Sequence, residues 1–291
     1  MNTIGTGTYG SSWRAKYFSA NLQKVLRKAL VAEAICAVDS SDSFYIHNPY
    51  GNQPTATQQA LTGTYSITAF TVTDDSLTVT DEVIFSEHVF DFERRYNSFN
   101  LFAERADEMG FAISVQIDKF VVNSLTEDAT SAYTTPAGGF TTSANIPVIL
   151  ANLLSKVAGY SSPVAANAEY FLVLENTDLV GLIQNQFASG FSFADAALRN
   201  GLITSQGGID IYVVRSGTFV DATIGTRSDI LNNGHRVFGV KRAATYASPR
   251  GVQYDEKGVS GKTGKEICAY GYVGFAFWVQ NRALGVDITL A

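Results

Sequence analysis

The chain has few of the residues that enzymes most often use for catalysis or metal binding. It contains only two cysteines, Cys36 and Cys268, and three histidines, His47, His88 and His235. The cysteines are too few for a disulfide framework and lack zinc-ligand spacing, which indicates free thiols in a reducing compartment. The histidines lie in three separate segments, and no two have the spacing of a zinc-ligand pair. We therefore expect neither a metal ion nor a cofactor.

Motifs for nucleophilic catalysis and phosphate binding are also missing. The sequence has no Gly-x-Ser-x-Gly nucleophile elbow. The stretch "GKTGK" at 261–265 invites a phosphate-loop interpretation, but the required glycine five positions before Gly261 is Glu256. A turn between two strands explains it better. A soluble hydrolase assembled from Glu87, Asp91 and distant partners stays open only as an unfavoured alternative.

Long apolar runs are absent as well, and no segment approaches the roughly 18 residues of a membrane span. We therefore expect no contact with a membrane. With 291 residues, 46% of them hydrophobic and 16% charged, the chain can bury a large core, as one large domain or two smaller ones.

Charge of one sign is missing from long parts of the chain. Residues 1–28 hold five basic and no acidic residues, whereas residues 29–93 hold ten acidic residues and no lysine or arginine. Residues 43–73 carry no charge at all. The net charge of −6 argues against general affinity for nucleic acid. An uncharged segment of this length is poorly suited to an exposed surface, so we expect it to lie against another chain.

The stretch "DSLTVTDEVIFSEHVFDFE" concentrates Glu87, His88, Asp91 and Glu93 and therefore resembles a reaction centre at first sight. Its first part alternates polar and apolar residues as a half-buried strand does. Neighbours on a strand point to opposite faces, so Glu87 and His88 should not converge on one metal ion. We interpret the cluster as solvated or interface-facing residues.

Periodicity predicts the helices and strands. We expect a helix over 19–38, a long two-stranded excursion between 44 and 73, and a strand from Leu77 onward. Apolar residues from Phe102 to Phe120 recur every three or four positions, which predicts one long helix over about 98–125. Further predictions are a helix at 146–158, a buried strand at 169–176, a short helix capped by Thr177, a strand within "GGIDIYVVRS", and terminal strands after 236.

This order of elements resembles the Hong Kong 97 fold of tailed-phage major capsid proteins. The resemblance is carried by "DSLTVTDEVIFSEHVFDFERRYNSFNLFAERADEMGFAISVQIDKFVVNSL", which looks like that family's strand leading into its spine helix. The stretches "FLVLENTDLVGLIQNQF" and "LRNGLITSQGGIDIYVVRS" look like its axial-domain strand, helix and glycine-containing passage. The stretch "GKEICAYGYVGFAFWVQNRALGVDITL" is similar to its closing strands.

The resemblance implies an α+β chain with a set organisation. Residues 1–40 would form an N-terminal arm and helix, 41–80 an extended β loop, and 81–144 a peripheral domain with the spine helix. Residues 145–235 would form the axial domain, and 236–291 would supply return strands to both domains.

The implied function is that of a structural, non-enzymatic subunit of an icosahedral shell around phage DNA. Expected partners are copies of itself in hexamers and pentamers, a scaffolding protein, a portal, and decoration proteins where they exist. The arm starts close to Met1, so we expect scaffolding from a separate protein. Packaged DNA would meet the shell only through non-specific lumen contacts, and assembly would take place in the cytoplasm of the host bacterium. A cellular shell of the same fold, enclosing cargo enzymes, is the main alternative.

Opposite charges predict where subunits meet. Residues 236–265 hold seven basic and two acidic residues, a balance of +5, while residues 29–93 stand at −10. Opposite potentials on a repeated subunit favour the contact that joins them. We expect acidic residues at the loop base to face basic residues of an adjacent copy. The acidic set is Asp74, Asp75, Asp81, Glu82, Glu87, Asp91 and Glu93, and the basic set is Arg242, Arg250, Lys257 and Lys262.

The absence of lysine between Lys28 and Lys119 yields the first prediction. Some members of the resembled family cross-link a lysine of the extended loop to an asparagine of a neighbour. No such lysine exists here, so we expect mature particles to dissociate into single chains on denaturing gels. A ladder of covalent oligomers would contradict this expectation.

Overall fold

The computed structural model describes residues 31–39, 41, 43–51, 63, 69, 71–90, 101–158, 168–188, 205–206, 208–258 and 263–291. Its α-helices are α1 (Val31–Ile35), α2 (Leu101–Asp128), α3 (Ile146–Ala158) and α4 (Leu179–Ala188). The strands up to the middle of the chain are β1 (Ala37–Asp39), β2 (Tyr45–Gly51), β3 (Val72–Thr78), β4 (Asp81–Val89), β5 (Ser131–Thr134), β6 (Tyr170–Glu175), β7 (Ser205–Gln206) and β8 (Ile209–Val214). The later strands are β9 (Asp221–Ile224), β10 (Arg227–Leu231), β11 (His235–Val240), β12 (Ala244–Ala247), β13 (Gln253–Gly258), β14 (Lys265–Phe277) and β15 (Gly285–Thr289). Separate helices and mainly antiparallel strands confirm the α+β class.

The long helix predicted over about 98–125 is α2. Met109, Ile113, Ile117 and Phe120 are all buried and recur every three or four residues, which places them on one face. They join the largest hydrophobic cluster, to which α1, β11 and β14 also contribute side chains. The helix is therefore the element against which the rest of the chain packs.

The first sheet is built around β14. On one side β14 pairs antiparallel with β12 and then β13, and on the other side it pairs antiparallel with β4. The short strand β1 adds to β12 in parallel. The predicted turn "GKTGK" joins two antiparallel strands, as expected, although positions 261 and 262 lie outside the described residues.

The second sheet has the order β5-β15-β11-β6-β8-β7 and mixes parallel with antiparallel pairs. Helix α3 has the predicted bounds, and it packs with α4 on this sheet through a second cluster that includes Ile149, Leu153, Leu172 and Phe238. The terminal segment contributes to both sheets, because β11 and β15 enter the second while β12, β13 and β14 form the first.

Two local predictions were wrong in detail. The first helix was expected over 19–38, but among the described residues it ends at Ile35, and Ala37–Asp39 is a strand. The hydrogen bonds of that strand to β12 override the helical pattern. Thr177 is exposed and does not cap the short helix. Glu175 and Asp178 form a reciprocal capping box there instead.

Strands β2 and β3 form a two-stranded excursion, as predicted, but its second strand lies later than expected. The excursion was expected to end at 73, whereas β3 runs from Val72 to Thr78. The strand expected from Leu77 begins at Asp81 instead, as β4. Seven residues of each strand pair antiparallel, from Tyr45 opposite Thr78 to Gly51 opposite Val72. Among the described residues these two strands form a sheet of their own. A lone two-stranded hairpin is marginally stable in water, so this one depends on packing at its base or on a partner.

Arg236 on β11 is the centre of a buried ion cluster. Its guanidinium donates to Glu175 at 3.2 Å and to Asp178, and it lies 5.0 Å from the centre of the Phe219 ring. The second carboxylate oxygen of Glu175 accepts the backbone N–H of Thr218 at 3.1 Å. The cluster ties β6 and β11 to the loop after β8.

We predict that Arg236→Met lowers the free energy of unfolding by about 3–5 kcal/mol, because two buried carboxylates lose their counter-charge. Urea unfolding of the dissociated subunit measures the change. The matched control is Arg242→Met, which removes an exposed guanidinium and should change the free energy of unfolding by less than about 0.5 kcal/mol. Equal effects of the two substitutions would contradict the cluster's role.

Candidate subunit interface

The acidic and basic segments predicted to meet between subunits are neighbours in one sheet of the same subunit. Strand β14 separates β4 from β13, with Glu87 opposite Ile267 and Lys257 opposite Glu266. Strands in a sheet lie about 4.8 Å apart, so the two charged strands are roughly 10 Å from each other. The acidic and basic strands are therefore separated within one subunit by a single strand.

The pleat divides these residues between two faces. Ile267, Ala269 and Val273 pack in the same cluster as Ile113 and Ile117 of α2. Residues directly paired with them share the α2 side, and their chain neighbours take the opposite side, which we call the outer sheet face. The outer sheet face carries Glu82, Ile84, Ser86 and His88 of β4, Gln253, Asp255 and Lys257 of β13, and Glu266, Cys268, Tyr270 and Tyr272 of β14.

Glu87 and His88 lie on opposite faces of β4, as the alternation predicted. Glu87 pairs with Ile267 on the α2 side, and His88 pairs with Glu266 on the outer sheet face. The His88 ring packs edge-on against Phe90, with 4.5 Å between ring centres. Within the described part of the chain, no three His, Cys, Asp or Glu side chains form a group that could hold a metal ion.

Asp81 does not belong to the exposed acidic set. It is 7% exposed, and its carboxylate accepts the backbone N–H of Thr226 at 2.6 Å and the Thr226 hydroxyl at 3.0 Å. The hydroxyl of Thr80 is a third donor, at 3.2 Å. This carboxylate binds the turn between β9 and β10 of its own chain, so it is removed from the predicted interface.

The two aspartates of β3 are also engaged within the chain. Asp74 pairs with Nδ1 of His47 on β2 at 2.6 Å, with both side chains at least half exposed. Asp75 accepts the backbone N–H of Val279 at 3.0 Å. The exposed Asp74 pair is accessible to a partner, whereas Asp75 fastens the hairpin to the segment after β14.

The basic strand β13 is locally neutralised. Lys257 lies 2.9 Å from Asp255, two residues before it on the same face, and Lys265 lies 2.8 Å from Glu256. The hydrogen bond from Lys257 lowers the pKa of Asp255, and the same bond raises the pKa of Lys257. Exposed pairs of this kind contribute little to stability, because solvent screens their charges.

Arg242 and Arg250 are different from the other basic residues. Both are exposed, and neither forms a salt bridge with another described residue. Their φ angles are 63° and 65°, in the left-handed region that normally favours glycine. A side chain at such an angle costs roughly 1–2 kcal/mol. These two arginines flank β12 and keep their guanidinium groups available for a partner.

Three predicted positions, Asp91, Glu93 and Lys262, lie outside the described residues. Glu82 is exposed on the outer sheet face, next to Ile84, which is 60% exposed. The charge pattern did not draw attention to Ile84, although the consecutive apolar residues Val83, Ile84 and Phe85 gave a signal. They supply apolar side chains to both faces of β4, and a strand of that kind is typically covered on both sides.

The cysteines are free thiols, as predicted. Burial, followed by the nearby charge of Asp118, raises the pKa of Cys36 to about 12. Desolvation also raises the pKa of Cys268 on the outer sheet face. Neither environment favours the thiolate that a nucleophile requires. In the described part of the chain, no helix combines the length and the hydropathy needed to cross a membrane.

No family model matches the sequence, and no curated protein matches it. Solved structures do match over the whole chain. The capsid of the cyanophage P-SCSP1u aligns with a TM-score of 0.72 and 14% identity, covering 100% of this chain and 96% of the other. The Mycobacterium phage Che8 structure gives 0.71 and 19%, covering 96% and 98%.

A third match is the capsid of an empty gene transfer agent (GTA) particle, with a TM-score of 0.70, 14% identity and 98% of both chains covered. Each of these three alignments covers at least 96% of both chains, so the shared architecture extends over nearly the whole of each chain. The chain therefore has the Hong Kong 97 fold found in phage capsid proteins.

Proposed function

We propose that the chain is a major capsid subunit that assembles with copies of itself into the icosahedral shell of a tailed phage. The observation that carries this proposal is the match to capsid structures over 98–100% of this chain and 96–98% of theirs. The proposed location is the virion, after assembly in the host cytoplasm. Scaffolding, portal and decoration proteins are proposed as further partners.

The β2–β3 hairpin supports assembly as the function. Tyr45 is 49% exposed and Val72 is 58% exposed, and between these strands the sequence carries no charge. Such a hairpin gains stability when its apolar side chains and free strand edges meet another chain. We propose that it lies across an adjacent subunit, as the extended loop.

We propose that Arg242 and Arg250 provide the basic side of the contact between subunits. They retain left-handed backbone conformations in which glycine would be less strained, and they lack salt bridges among the described residues. The exposed acidic groups of a neighbour that fit them are Asp74 and Glu82. Asp91, Glu93 and Lys262 remain in the proposal on charge alone, and Lys257 contributes less because Asp255 already pairs with it.

We propose that the packaged genome contacts the shell only through non-specific lumen contacts. A net charge of −6 does not favour tight binding of DNA and is consistent with this proposal. Residues 1–28 form the largest basic segment without acidic residues and are proposed to face either a neighbour or the lumen.

The proposal is tested by expressing the chain, with a scaffolding protein if required, and examining the product by negative-stain microscopy and size-exclusion chromatography. We expect closed particles of uniform diameter and, in an infected host, DNA inside them. Hydrogen exchange in the hairpin strands should slow on assembly, because their edges become covered. A monomer under all conditions, or enzymes as the enclosed cargo, would contradict a virion role.

A second prediction separates recognition from folding at Arg250. Arg250→Gly relieves the left-handed strain, so the free energy of unfolding should change by no more than about 1 kcal/mol. The concentration needed for assembly should nevertheless rise, and more steeply at low salt, where charges are screened over more than about 10 Å. Light scattering measures assembly.

The matched control is Asp229→Gly, which removes another non-glycine residue with a positive φ angle, 59°, but carries the opposite charge. It should leave assembly unchanged. Reversing charge with Arg242→Glu and Arg250→Glu should block assembly, and adding Asp74→Lys and Glu82→Lys should partly restore it. Unimpaired assembly of Arg250→Gly, or no restoration in the fourfold variant, would show that other contacts hold the interface.

A further inference from the structure

The β2–β3 hairpin joins the rest of the chain through a short segment, Val79 to Asp81. Within this segment, the Asp81 side chain accepts three hydrogen bonds. Its buried carboxylate receives one backbone N–H and two hydroxyl hydrogen bonds, from Thr226 and Thr80. Hydrogen bonds to an ionised group are about twice as strong as neutral ones. This carboxylate is therefore a strong point of attachment between the hairpin's base and the turn of β9 and β10.

The turn is shaped to receive the carboxylate. Gly225 has a φ angle of 60°, which a side chain rarely adopts, and a methyl group at this position would overlap the carboxylate of Asp81. The absence of a side chain lets Asp81 approach the backbone of the turn. The close packing of the Asp81 carboxylate against the turn therefore requires glycine at position 225.

The turn is itself fastened to the long helix. Arg227, the next residue after Thr226, makes two hydrogen bonds to the carboxylate of Asp128 at 2.8 and 3.1 Å. Asp128 is the last residue of α2. The base of the hairpin is thus connected through Asp81, the turn and Arg227 to the end of the helix that organises the core.

The base of the hairpin is also attached on its other side. Leu77 and Val79 pack with Ala247 and Trp278, and Asp75 accepts the N–H of Val279. Between residues 45–51 and 72–78 the two strands hydrogen-bond to each other, and His47 pairs with Asp74. The contacts at the base therefore contribute to the direction of the hairpin.

We propose that Asp81 is a positioning residue that sets the angle of the β2–β3 hairpin relative to α2 in the free subunit. Before assembly, it holds the hairpin in the direction in which the hairpin meets a neighbour. The importance of this angle for assembly rests on the proposed function, but the attachment itself is a property of the single chain. The inference extends to Gly225 and Thr226, the partners of Asp81 in the turn.

Four variants test the attachment from both sides. Asp81→Leu removes all three hydrogen bonds while it keeps the number and branching of the side-chain heavy atoms, and Gly225→Ala places a methyl group against the carboxylate. Asp81→Asn keeps an acceptor for the Thr226 N–H. Gly234→Ala is the matched control, because its φ angle of 81° imposes the same backbone strain while no atom lies within 4 Å of the added methyl.

The measurement is amide hydrogen exchange of the dissociated subunit. In Asp81→Leu and Gly225→Ala, exchange at 45–51 and 72–78 should become about tenfold faster or more, while exchange in α2 and β14 stays within about threefold of the wild type. Gly234→Ala should resemble the wild type at the hairpin, and Asp81→Asn should fall in between.

Unchanged exchange at the hairpin in both Asp81→Leu and Gly225→Ala would overturn the inference. A uniform increase across hairpin, α2 and β14 would also overturn it, because it would show general destabilisation rather than local release. The proposed function is judged separately by particle formation of the wild-type chain. If that chain forms no particles while the exchange results hold, the capsid role fails and the positioning role of Asp81 stands.

Discussion

The burial of one face of α2 is the interaction on which the rest of the structure depends. Met109, Ile113, Ile117, Phe120 and Leu125 are each at most 4% exposed, and together they contribute on the order of 10 kcal/mol of apolar burial. Side chains of α1, β11 and β14 complete the same cluster, so both sheets are positioned by one helix. Hydrogen bonds from polar side chains of α2 then fix the positions of the neighbouring segments along the helix.

Asn123 shows how that selection works. It is fully buried in α2, donates to the carbonyl of Thr218 at 2.8 Å and accepts the N–H of Val220. Asn232, which hydrogen-bonds to Val220 at the same end of the β9–β10 hairpin, donates to the backbone carbonyl of Asn123. Asp118, on the same helix, accepts the N–H groups of Val31 and Ala32 at the start of α1. Because buried polar groups must be satisfied, these bonds allow few alternative arrangements.

The fold also decides which charges remain for a partner. A chain with only 16% charged residues uses many of them internally, in the Arg236 cluster, at Asp81 and along β13. Arg242 and Arg250 are exposed and form no salt bridge with another described residue, and Glu82 is exposed on the outer sheet face. In the proposed capsid role, a surface with few charges would form many weak contacts that are repeated between subunits.

The sequence by itself determined several elements of this protein. The 3.6-residue repeat of α2, the bounds of α3 and the two-stranded excursion follow from local sequence, because side-chain spacing reports which face is buried. The order of those elements was enough to indicate the capsid fold. The short strand β1 was missed because its hydrogen bonds to β12 come from a segment about 200 residues away.

Only the tertiary structure decided the state of the candidate interface residues. Asp81 and Asp74 look alike in the sequence, yet one is buried against the turn at Thr226 and the other is exposed beside His47. Lys257 and Arg250 also look alike, but one has a partner two residues away and the other has none among the described residues. A count of charged residues in a segment does not show which of them are buried or already paired. The interaction of a charge with a partner depends on distance and burial, and only the folded chain establishes these.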